Sequence, residues 1–223
     1  MDATKLLDAW QELLPRHICV SAGPYLSLSS QPLTRLESAS AGLVGAERTR
    51  ELESGRFYAK RALSMLGISD VDLPISPNRM PLWPEGTIGS ITHIRKRTEG
   101  HCAVAVAYAH DIRAVGIDVE YDAGFDPQLW PTVLTTRELE QLRCLPVYAR
   151  EAEALKRWCV KEAVIKVTQG IFEPIDINTE PDHQDGWYEA TTSKEQETVN
   201  TWIGRTTRLN GLILASVVVP RSW

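Results

Sequence analysis

Apolar and polar positions along the chain switch repeatedly between a helical and a strand period. Residues 1 to 14 carry apolar side chains at helical spacing and predict a short amphipathic helix that stops near Pro15. A Ser- and Pro-rich stretch follows to about Pro32. From Leu43 to Leu66 the spacing is helical again, with Gly67 placed to cap the end. Residues 69 to 87 contain Pro74, Pro77, Pro81 and Pro84 and predict an irregular loop. The runs Cys102 to Ala109 and Ala114 to Asp122 read as two strands joined by a turn at His110-Asp111. Thr135 and Glu138 have the spacing of a capping box opening a helix toward Leu145. A longer helix is expected from Arg150 to Thr168, ended by Gly170, and the tail from Trp187 to Val219 reads as a few further strands. This order is α+β rather than a regular βαβ alternation. Two half-domains are expected, residues 1–112 and 113–223.

The second predicted strand has unusual chemistry. Successive strand side chains point to opposite faces. Val115, Ile117, Val119 and Tyr121 therefore form an apolar face, and Asp118, Glu120 and Asp122 share the other. Like charges at that spacing repel unless water or a cation screens them. Rigidly held carboxylates suit a hard cation such as Mg²⁺, and a solvated outer face would read the same way.

The helix through Trp158 offers a partner. At about 100° per residue, with Leu155 at zero, Glu162 falls at about 340° and Lys166 at about 20°, inside the sector occupied by Trp158, Cys159 and Ala163. A solvated face would instead centre on Arg157 and Lys161. An exposed Glu-Lys pair accounts for the four-residue spacing but not for the apolar neighbours, because buried ions are costly without partners. A site is the preferred reading.

Two more segments complete the candidate chemistry. Arg48, Arg50, Arg56, Lys60 and Arg61 crowd one helix, and Arg48 and Arg56 lie about 80° apart around it, so both can address one anion. Downstream, Gly86 and Gly89 allow close backbone approach to a ligand, with Ser90, Thr92 and His93 as hydrogen-bonding groups. A plain turn entering a strand would look alike. His17, His101, His110 and His183 have no such company.

Composition narrows the class. The 223 residues are 43% hydrophobic, enough for a sizeable core, and the net charge of -5 argues against nucleic-acid binding by overall basicity. Cys19, Cys102, Cys144 and Cys159 form no CxxC pair and read as buried free thiols, which suits a reducing cytoplasm. The opening MDATKLLDAW is not expected to be a secretory signal, and no run approaches the ~20 apolar residues of a membrane span. A cytoplasmic protein is expected.

The segments GRFYAKRAL, PLWPEGTIGSITH, VGIDVE and WCVKEAVIKV, in this order and ending at Val167, resemble the Sfp/EntD-type 4'-phosphopantetheinyl transferases, particularly the EntD-like branch. The final fifty or so residues add little to the likeness. The resemblance implies two similar α/β half-domains in a pseudo-twofold arrangement with the active site at their interface. The first half would grip the coenzyme A nucleotide, and the second would carry the metal-binding strand and the KEA helix. It implies that Asp118, Glu120 and Glu162 hold Mg²⁺, and that Asp118, Glu162 and Lys166 are catalytic. Arg48, Arg56, Ser90, Thr92, His93, Lys161 and Lys166 would bind coenzyme A. One departure is visible: PISPNRM stands where relatives often carry a lysine and a Gly-rich turn, and Arg79 is the candidate substitute.

The activity implied is transfer of the phosphopantetheine arm from coenzyme A to a serine of an apo acyl or peptidyl carrier protein, serving siderophore or other peptide synthesis, polyketides or fatty acids. Trp130 and Leu134, in the loop Gly124 to Thr135, form either a carrier-docking ridge or core. A monomer is expected. The rival readings are a Mg²⁺-dependent phosphohydrolase and a non-catalytic carrier-binding module.

Overall fold

In the computed structural model the described residues are 2–96, 99–123, 125–192 and 200–221. The chain divides into two compact units, residues 1–115 with 220–223, and residues 116–219. Gly124, at the start of the loop singled out above, lies outside the described residues.

The N-terminal unit contains α1 (Ala3–Leu13), β1 (Cys19–Pro24), α2 (Arg35–Ala41), α3 (Ala46–Met65), β2 (Thr87–Lys96) and β3 (Glu99–Tyr108). Its three strands are antiparallel in the order β1-β3-β2. Asp2 caps α1 by accepting from the Thr4 amide at 3.0 Å, and the helix gives way at Leu14 before Pro15. Tyr58, Ala59, Ala62 and Leu63 of α3 cover Cys102, Val104 and Val106 of β3. Gly67 follows α3 with φ of 77°, a left-handed conformation that glycine adopts without penalty.

Three elements here escape the hydrophobic pattern. The β1 strand is short and hidden in the Ser/Pro-rich stretch. The α2 helix opens with a capping box in which Thr34 and Glu37 satisfy each other's backbone amides. The segment from Thr87 is β2, entered by a turn in which Gly86 has φ of 75°, as the plain turn-into-strand alternative has it, and paired with β3 from Thr87↔Tyr108 to Lys96↔Glu99. Its small residues mask the alternation, and Gly89 is needed there because a Cβ would come within 2.6 Å of the Trp83 ring.

The chain crosses into the second unit within β4 (Ile112–Tyr121). The C-terminal unit then holds α4 (Trp130–Val133), α5 (Thr136–Cys144), α6 (Val147–Val167), a 3₁₀ turn (Pro174–Asp176), β5 (Ile177–Pro181), β6 (Trp187–Thr192), β7 (Thr201–Leu209) and β8 (Leu212–Pro220). The sheet order is β4-β8-β7-β6-β5. The expected capping box at Thr135 and Glu138 opens α5. One side of α6, with Leu155, Cys159, Val160, Ala163 and Val164, is buried with Ile177, Tyr188, Ala190, Ile213, Ala215 and Val217. Each fully buried large aliphatic side chain there contributes roughly 1.5–3 kcal/mol.

The opposite side of α6 departs from expectation. Arg157 and Lys161 are 2% and 0% exposed rather than the centre of a solvated face. The α5 helix and the 3₁₀ turn also pack on α6, so helical period by itself could not locate a wet face. Leu134 is 0% exposed and belongs to a small core with Leu142 and Ala154, while the Trp130 indole donates to the Phe125 carbonyl. Leu134 is therefore core, not ridge. All four cysteines are free; Cys102 and Cys159 are buried, but Cys144 is exposed and Cys19 half-buried. Among the described residues no helix is long and apolar enough to cross a membrane.

Candidate functional site

In the C-terminal unit the acidic strand meets the KEA helix. A Cβ added to Gly116 would lie 2.0 Å from the Ala163 carbonyl oxygen, so only glycine lets β4 approach the α6 backbone this closely. Two residues along β4, Asp118 is 6% exposed, and its Oδ1 accepts from Lys166 Nζ at 2.8 Å. The same ammonium donates to the Ile117 carbonyl at 2.7 Å. The helical spacing that puts Lys166 one turn beyond Glu162 thus carries it to the strand.

The neighbouring acids feel this crowding. Burial pushes the Glu120 carboxyl up to about 7, Asp118 adds to the shift, and the Trp158 indole N–H at 3.4 Å and Lys166 oppose it. Glu162 is also pushed up to about 7, first by burial and then by Asp118, against Lys166. Three carboxylates face a single ammonium, which is an excess of negative charge that a divalent cation would relieve. Among the described residues no three His, Cys, Asp or Glu side chains already stand in metal-holding positions. The donor chemistry fits Mg²⁺, with Lys166 supplying part of the counter-charge at Asp118. Asp122, the third acid of the strand face, ion-pairs with Arg208 at 3.0 Å on the exposed side.

Lys161 requires a correction. It is fully buried, donating to the Val133 carbonyl at 2.8 Å, the Pro174 carbonyl at 3.0 Å and the Glu138 carboxylate. Glu138 in turn accepts from the amides of Thr135 and Thr179 and from the Thr179 hydroxyl. Burial pulls the Lys161 ammonium below its ordinary value, and the Glu138 charge opposes that. All its proton donors are used within the protein, so Lys161 ties α6 to α5 and does not grip coenzyme A. Arg157 is similarly absorbed by Glu153, Gln141 and the Thr179 carbonyl. The capping-box signal predicted where Glu138 sits but not that its carboxylate is buried beneath α6.

In the N-terminal unit a pocket of about 120 Å³ is lined by Arg48, Glu51, Leu52, Gly55 and Arg56 of α3, Ile75, Arg79 and Pro81 of the proline-rich loop, and Ile91 and His93 of β2. The structure therefore brings Arg48, Arg56 and His93 together, and adds Arg79. Arg56 is held by its Nε, which donates to the Leu73 carbonyl at 2.6 Å. Arg79 sits at φ of 63° in a turn closed by Arg79 N to Ser76 O and Ser76 N to Met80 O. Arg48 Nη1 lies 3.0 Å from Glu51 Oε2. Ser90 and Thr92 do not line this pocket. They alternate with Ile91 and His93 along β2, and both are buried on the sheet's other face. Sequence reasoning passed over Glu51, whose only signal was its place one helical turn from Arg48.

Two family models match the chain. The 4'-phosphopantetheinyl transferase N-terminal domain covers residues 39–107, and the 4'-phosphopantetheinyl transferase superfamily covers residues 114–214. The chain is similar to the 4'-phosphopantetheinyl transferase Npt of Nocardia iowensis, 32% identical over 120 residues, which are 54% of this chain and 51% of that protein. It is also similar to PptT of Mycobacterium tuberculosis, 27% identical over 189 residues, 78% of this chain and 80% of that one. A shorter stretch of 76 residues, 34% of this chain and 29% of its counterpart, is 35% identical to enterobactin synthase component D of Salmonella typhimurium. The matched stretch thus spans about half the length of the Nocardia relative.

Proposed function

Because this chain belongs to the 4'-phosphopantetheinyl transferase superfamily, we propose that it transfers the phosphopantetheine arm of coenzyme A to a serine of an apo carrier protein. The observation that carries this reading is Lys166 seated on Asp118, beside two glutamates whose carboxyls burial holds near 7. That arrangement supports a reading in which the unit takes a phosphate-bearing ligand and a hard cation. It explains why the strand acids and the helix motif occur in one unit.

In the proposed reaction the serine oxygen forms a bond to the β-phosphorus of coenzyme A. The bond to the pyrophosphate bridging oxygen breaks, and adenosine 3',5'-bisphosphate leaves. Asp118, Glu120 and Glu162 would hold Mg²⁺, which when bound neutralises pyrophosphate charge and aligns the two phosphates. Lys166 stabilises charge developing on the phosphate oxygens. Glu162 takes the serine proton directly or through one water, and because it also holds the cation it acts as a weakened base. In the N-terminal unit Arg48, Arg56 and His93 hold a nucleotide phosphate, and Arg79 takes the part of the lysine that the loop lacks.

We further propose a cytoplasmic monomer that takes no nucleic acid, consistent with four free cysteines and a net charge of -5. The similarity to enterobactin synthase component D makes a peptidyl carrier of siderophore assembly the first partner to try, followed by polyketide carriers. The test is the intact mass of an apo carrier incubated with this protein, coenzyme A and Mg²⁺. A gain of one phosphopantetheine, abolished by chelator, is expected. Unchanged mass across carriers of each class, with folded protein present, would overturn the proposal.

A further inference from the structure

The pocket in the N-terminal unit already contains an anion of the protein's own. Glu51, with a side chain 14% exposed, places Oε2 3.0 Å from Arg48 Nη1 and 3.5 Å from His93 Nε2. Its other oxygen, Oε1, lies 3.8 Å from Arg95 Nε, and Arg95 also pairs with Glu47. One carboxylate oxygen therefore sits where Arg48 and His93 converge, which is where a phosphate oxygen held by both would sit.

The remaining cations differ in freedom. Arg56 is anchored to the Leu73 carbonyl, and Arg79 stands on a closed turn. Arg48 is 40% exposed and is the guanidinium engaged by Glu51. Counting Arg48, Arg56 and Arg79 against Glu51, the lining carries three positive charges and one negative before His93 is considered. The two remaining charges match a phosphate monoester, which is nearly dianionic at neutral pH. The monoester of coenzyme A is its ribose 3'-phosphate; the leaving group retains it and carries a second at the 5'-oxygen, where the pyrophosphate is cleaved.

We propose that Glu51 is a resident competitor for this phosphate. An entering monoester takes Arg48 and His93 from Glu51, whose carboxylate keeps Arg95 as its alternative partner. When product forms, Glu51 reclaims Arg48, and this exchange weakens the hold on adenosine 3',5'-bisphosphate and speeds its departure. Glu51 sets how long the nucleotide stays without touching the reacting atoms. The inference rests on the proposal that this pocket seats the nucleotide phosphate.

The experiment is calorimetric titration of the intact protein with adenosine 3',5'-bisphosphate, and with adenosine 5'-monophosphate as a probe lacking the 3'-phosphate. Glu51→Gln keeps the side-chain shape and an oxygen acceptor but removes the charge. It is expected to bind the bisphosphate about fivefold more tightly, the scale of one partly screened charge contact, with the monophosphate unchanged. Arg95→Gln, which leaves Glu51 without its second partner, is expected to bind the bisphosphate more weakly. If Glu51 instead held Arg48 and His93 in place for the ligand, Glu51→Gln would weaken or leave unchanged the bisphosphate affinity, and the inference would fall. Arg48→Gln separates this from the pocket assignment: it must weaken the bisphosphate selectively. If it does not, the pocket is not the phosphate seat and the assignment fails with the inference.

Discussion

Replacing Lys161 with methionine would remove a buried ammonium that holds three oxygens at once. In the native protein Lys161 and Glu138 are both fully buried, and Lys161 also serves the carbonyls of Val133 and Pro174. Breaking one side of a buried ion pair costs about 3–5 kcal/mol because the other charge stays behind without compensation. Glu138 keeps three donors, from Thr135 and Thr179, which moderates that cost. The two carbonyls lose a donor, at about 1 kcal/mol or more each. These opposing corrections leave a destabilisation of about 4 kcal/mol. For a chain of this length each kcal/mol moves the melting temperature by about 2–4 °C, so a drop of about 8–16 °C is expected. Adding Glu138→Gln to Lys161→Met removes the stranded charge and should recover about half of the loss. The assay is a thermal melt followed by circular dichroism, paired with transfer kinetics at a temperature where every variant is folded. The KM for coenzyme A should stay within about twofold of native. A melt close to native with a KM raised tenfold or more would refute the structural role and return Lys161 to the ligand.

Three further outcomes are expected. Asp118→Ala and Glu162→Gln should each reduce transfer by at least about a hundredfold while circular dichroism shows a largely intact fold, and near-normal turnover in either would remove that residue from the proposed chemistry. Without Mg²⁺, stability should fall as pH rises from about 4.5 to 7.5: Glu120 and Glu162 bind protons more tightly when folded, with carboxyls near 7 against an ordinary 4.5, so their stabilising contribution is complete below 4.5 and is lost as pH rises through 7. Denaturant midpoints across that range should drop by the equivalent of about 3 kcal/mol, allowing for partial solvent screening, and a Glu120→Gln, Glu162→Gln double variant should flatten the slope; an equal slope in both proteins would locate the titration elsewhere. Gly116→Ala should destabilise by about 3 kcal/mol in urea, because the new methyl overlaps the Ala163 carbonyl, and a change under about 0.5 kcal/mol would show that β4 and α6 are not in this close approach.

Local pattern was enough for several features. The helical period marked α1, α3 and α6, and the capping box marked the start of α5, because these signals depend on residues within a few positions of one another. Strand alternation separated Asp118 and Glu120 from the apolar side of β4, and helical geometry put Glu162 and Lys166 on a common sector, so the acid-lysine chemistry was legible before any fold was known. Other features depend on what covers each element. Lys161 and Arg157 occupy the helical sector that pattern alone makes solvent-facing, but α5 and the 3₁₀ turn pack there and turn both cations inward. Ser90 and Thr92 sit beside His93 in sequence yet on the other face of β2, since this segment is a paired strand whose side chains alternate. Glu51 and Arg79 lie 28 residues apart in the numbering, and only the path of the proline-rich loop brings them into one pocket. Periodicity reports which residues share a side of an element, whereas burial and charge pairing depend on elements distant in sequence, which only the folded chain brings together.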